Sequence, residues 1–146
     1  MEETVERLRR TVDDESRIRK PLVVGEGTIP PIFEGGVSDY LGTITRFRQN
    51  LTVDAIIPLH GNVTTGAILG RYSAYLSDLL NEVGRIASAV DSDDALQAAL
   101  PLDRFIALPA EFADTPAAAF LSGLHALNLR HAWREARLGP ALPAVY

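Results

Sequence analysis

Leu69, Tyr72, Leu76, Leu79, Val83, Ile86 and Val90 recur at steps of three and four along residues 66–90. That step is the signature of one face of an α-helix. It commits the chain to building around one long amphipathic helix, with Thr64 or Thr65 as its cap. A second helix is expected from Ser38, a suitable N-cap, to about Gln49, with Leu41, Ile44 and Phe47 along one face. Asp93 can cap a short helix over 94–100 that Pro101 ends. Thr115-Pro116 sets a cap residue before a proline at the first helical position. The last helix should run from there to about Arg137, with Phe120, Leu121, Leu124 and Leu127 as its apolar face. Gly139-Pro140 cannot continue it. Residues 2–19 read as an exposed helix with a thin stripe at Val5, Leu8 and Val12, so residues 1–20 form an N-terminal helical segment and 21–146 a single further domain portion.

Strand signals are few. Leu22-Val23-Val24 is a short apolar run before a Gly/Pro-rich loop reaching Gly36. Residues 53–57 hold Ala55-Ile56-Ile57, whose β-branched isoleucines suit a pleated, packed surface. Pro58 closes that strand because it cannot donate to a ladder. His60 then falls at the strand's carboxyl end, where α/β sheets usually carry ligand groups, and Gly61 permits a tight turn. The pattern as a whole is α/β, helix-rich, with only two or three strands.

The stretch Val53-Asp54-Ala55-Ile56-Ile57-Pro58-Leu59-His60-Gly61 resembles the histidine-bearing loop after a late strand in the metallo-β-lactamase superfamily. Upstream, Leu22 to Ile29 is similar to that family's strand ending in Gly-Asp, with Glu26 where the aspartate would fall. Ser38 to Phe47 looks like the helix after it, and Asn62-Val63-Thr64-Thr65 leads into the long helix as in many members. The resemblance covers roughly residues 22–90 and extends less specifically to the last helix. It implies the C-terminal half of an αββα sandwich with a long helical region. It further implies descent from a zinc-dependent hydrolase in which metal-activated water attacks an ester, thioester or amide carbonyl. His60 would be a zinc ligand and Glu26 a second, and the family's H-x-H-x-D-H loop is missing from this sequence.

Three histidines (His60, His125 and His131) and no cysteine leave few donors for a cage. A catalytic zinc normally takes three protein ligands, so His60 and Glu26 fall short, and little or no hydrolysis is expected from the chain alone. His125 and His131 lie six apart on the last helix, some 120° around it at 100° per residue, and cannot share one ion. His125 and Asn128 do share a face at i, i+3. They could pack beside Tyr72 or Tyr75, or face a substrate cleft. Tyr40, Tyr72 and Tyr75 sit at helical spacing, where packing is the ordinary explanation.

Neither Gly25-Glu26-Gly27 nor Gly35-Gly36 continues into a phosphate-binding pattern, and no serine lies in a G-x-S-x-G elbow. A net charge of −5 gives no reason to expect nucleic acid, and no apolar run reaches the ~20 residues that span a bilayer. A cytoplasmic location is the default. Two functions compete. One is an incomplete hydrolase. The other is a non-catalytic helical module that homodimerises or docks onto a separately encoded N-terminal half, because losing half a sandwich uncovers apolar surface. A small-ligand domain between the long helices has no motif of its own.

Overall fold

The computed structural model describes residues 28–33, 35–50, 55–56, 63–112 and 114–139. Among the described residues run four α-helices: α1 (Val37–Asn50), α2 (Ala67–Ile86), α3 (Asp93–Ala99) and α4 (Pro116–Leu138). Single 3-10 turns occupy Leu102–Arg104 and Ala110–Phe112. The central helix is α2, packed against both α1 and α4. Its buried residues include Leu69, Tyr72, Leu76, Leu79 and Val83, the face that the spacing predicts. Tyr40 and Ile44 of α1 and Leu121, Leu124 and Leu129 of α4 close the same core. Ile29 and Ile32, from the extended segment before α1, enter it as well.

Helix ends follow local chemistry. The Thr115 side chain accepts from the Ala118 N–H at 3.3 Å, and Pro116 occupies the first turn of α4. Gly139 ends that helix at φ +83°, a conformation glycine adopts without penalty, and its N–H donates to the Glu135 carbonyl at 2.8 Å. For α3 the cap is Ser92 rather than Asp93, its hydroxyl accepting from the Ala95 N–H at 3.3 Å. Helix α2 stops at Ile86 rather than Val90, and the Trp133 indole N–H takes up the Ala87 carbonyl just beyond it at 3.2 Å. At the start of α1, the Ser38 N–H donates to Glu135 Oε2 at 3.2 Å. A carboxylate at a helix N-terminus offsets the positive end of the dipole. Gly36 permits this approach, since a Cβ there would sit 3.1 Å from the same oxygen.

Two expectations are corrected. The half-sandwich of αββα type is not what the described residues form: they contain helices and no strand, and the core is helix on helix. Of the strand expected at 53–57, Ala55 and Ile56 are described, and Ile56 makes one isolated antiparallel bridge to Thr64. Its N–H donates to the Thr64 carbonyl at 2.7 Å and its carbonyl accepts from the Thr64 N–H at 2.9 Å. Both backbone groups are thus satisfied by a near neighbour in sequence instead of by a distant strand. The other expected strand, Leu22 to Val24, lies outside the described residues, as does the N-terminal segment 1–20.

The second correction concerns α4. Phe120 is 61% exposed, and the buried stripe runs instead through Leu121, Leu124, His125, Asn128 and Ala132. The polar His125 and Asn128 lie in that stripe, which a reading of hydrophobic residues alone misses. Among the described residues no helix is long and apolar enough to cross a membrane.

Candidate functional site

The residues named for metal binding, His60 and Glu26, lie outside the described residues. What is described on either side of His60 is the Ile56–Thr64 pair. Among the described residues no group of three or more histidine, cysteine, aspartate or glutamate side chains could hold a metal ion.

His125 and Asn128, one turn apart on α4, are brought together around Tyr75 of α2. His125 Nε2 lies 2.9 Å from the Leu100 carbonyl, which can only accept, so Nε2 carries the ring proton. In the neutral ring Nδ1 is then an acceptor, and the Tyr75 hydroxyl donates to it at 2.9 Å. Asn128 Nδ2 donates to the Tyr75 oxygen at 3.2 Å and to the Pro30 carbonyl at 2.7 Å, and Oδ1 accepts from the Ile32 N–H at 3.1 Å. Every donor meets an acceptor. Phe105 shields the group, its ring 5.0 Å from that of His125 and 6.0 Å from that of Tyr75. Buried polar groups need such complete pairing, and among the described residues no buried side-chain polar atom lacks a partner.

Electrostatics reinforce this arrangement. Burial pushes the Tyr75 phenol well above its ordinary range, against a smaller opposite effect of the Asn128 hydrogen bond. Burial lowers the His125 pKa below the usual 6.5, partly opposed by its bond to the Leu100 carbonyl. The network thus holds a neutral imidazole beside a protonated phenol. A second proton, on Nδ1, would leave the Tyr75 hydroxyl hydrogen without its acceptor.

A pH dependence follows. As pH falls below 6.5, the unfolded chain protonates at His125 before the folded one does. Stability attributable to this residue is intact above that pH and declines below it, by up to ~1.4 kcal/mol per pH unit. Urea midpoints measured between pH 7.5 and about pH 5 should fall more steeply for the parent than for His125→Gln. Equal slopes would show that the imidazole takes no part.

Tyr75 also borders a cavity of about 510 Å³. Helix α2 contributes Arg71 and Tyr72 to its walls, α4 contributes Ala118 and Leu121, and the 106–109 segment closes another side. The Thr28 and Tyr72 hydroxyls hydrogen bond to each other at 2.7 Å where the extended segment enters. Sequence reasoning did not single out Arg71, although a signal was present. The positions three and four away on either side are Ala67, Ile68, Ala74 and Tyr75, so no acid on its own helix can pair with it. No family model, curated protein or solved structure matches the chain.

Proposed function

We propose that this chain is a non-catalytic helical interaction module, and that its partner is the separately encoded half of a zinc-dependent hydrolase, the half carrying H-x-H-x-D-H. The observation that carries this reading is exposed apolar surface close in sequence to Glu26 and to His60. Val63, shortly after His60, is 61% exposed, and Phe33, seven residues after Glu26, is 65% exposed. Large apolar side chains left in water, each close in sequence to one of those residues, suit an interface that a partner completes. The homodimer is the competing assembly.

Sedimentation velocity on the chain, alone and co-expressed with a protein supplying the H-x-H-x-D-H half, tests the reading. A one-to-one complex that Val63→Glu weakens is the expected result, because a buried unpaired carboxylate opposes association. A homodimer in both samples would replace the docking reading with self-association. A monomer in both would overturn association altogether.

A further inference from the structure

The cavity beside Arg71 points to a ligand, independently of the docking reading. Its volume of about 510 Å³ lies within the range of small-molecule pockets. Ile29, Ile106, Leu108 and Leu121 make most of the wall apolar. The first turn of α4 lines it with the small side chains of Ala117 and Ala118, and the 106–109 segment lines it as well. Such a wall is stabilised by apolar contact and forfeits dispersion energy when it has none.

Arg71 is the charged residue of the lining, and it makes no ion pair among the described residues. Arg85, Arg104 and Arg130 each have a carboxylate within 3.1 Å, whereas Arg71, like Arg46, Arg48, Arg134 and Arg137, has none among the described residues. A guanidinium offers a planar fork that matches one carboxylate, and a single cation balances a single negative charge. A dianionic phosphate would keep one charge unbalanced at the mouth of an apolar space. The chain's net charge of −5 gives no general attraction for anions, so recognition must be local. We propose that the cavity binds a small amphipathic carboxylate, its hydrocarbon chain against the apolar walls and its carboxylate on Arg71.

Calorimetric titration of the full chain with straight-chain carboxylates from butanoate to decanoate, and with the matching alcohols, tests this. Affinity should rise roughly fourfold for each added methylene until the space is filled. Arg71→Gln changes an exposed residue and should weaken carboxylates by about three- to tenfold while leaving the alcohols nearly unchanged. Ala117→Trp, at an exposed position on the rim, should abolish binding of both series, and Leu108→Trp offers a second block should the first variant lose its helical circular dichroism. Three results would each overturn the proposal. One is no binding at millimolar concentration. Another is chain-length dependence that both blocking variants leave intact, and the third is a carboxylate affinity unaffected by Arg71→Gln.

Discussion

Asn128→Ala is expected to lower the free energy of unfolding by about 2–6 kcal/mol. The estimate comes from what the change strands. Asn128 is fully buried and serves two backbone groups of the extended segment, the Ile32 N–H and the Pro30 carbonyl. Each buried group left without a partner costs roughly 1–3 kcal/mol, and the Tyr75 hydroxyl loses a donor besides. A domain's whole stability is about 5–15 kcal/mol, so the variant should sit near the edge of folding. Asn128→Asp separates hydrogen bonding from packing. It keeps an acceptor for Ile32 but turns an acceptor toward the Pro30 carbonyl. Relative to the parent at the same pH, it should be as damaged as alanine at neutral pH and partly restored in acid, where a protonated carboxyl can donate. Chemical denaturation read by circular dichroism measures both. A loss for Asn128→Ala below ~1 kcal/mol, typical of a partially solvated bond, would mean that the network does not hold the segment.

Leu76→Ala should cost about 2–5 kcal/mol, the range for emptying a leucine site in a packed core. Leu76 is fully buried on the face of α2 that meets α1 and α4, whereas Leu80, one turn on, only packs half-buried against the cluster. Leu80→Ala should therefore lose well under the Leu76 value. Equal losses at the two positions would mean that the inward face of α2 has been assigned wrongly.

Much of the helical frame could be read from the residues themselves. The spacing of Leu69, Tyr72, Leu76, Leu79 and Val83 defines a face whatever surrounds it, and Thr115-Pro116 marks a helix start through local sterics alone. Errors gathered where a non-local partner decides. The start of α1 depends on Glu135, 97 positions from Ser38, and no local pattern reports such a carboxylate. The α4 stripe went astray at Phe120 because His125 and Asn128 are buried by virtue of their hydrogen bonds, and polarity conceals that burial in a sequence. Their shared face and the neighbouring Tyr75 were legible; the tautomer and the grip on Pro30 and Ile32 were not. The sandwich expectation failed differently. It came from likeness along residues 22–90, and likeness in a short β-branched run does not guarantee the strands that would complete a ladder.

The first described segment and the first helix both rely on atoms made near the end of the chain. Pro30 and Ile32 wait for Asn128, 98 and 96 positions later, and the opening turn of α1 waits for Glu135. At ribosomal speeds of roughly 5–20 residues per second, that gap is about 5–20 s of synthesis. During that interval the nascent polypeptide must keep those groups wet or shielded by a chaperone. Release of α4 from the exit tunnel is thus the moment at which the early part of the molecule can first become native.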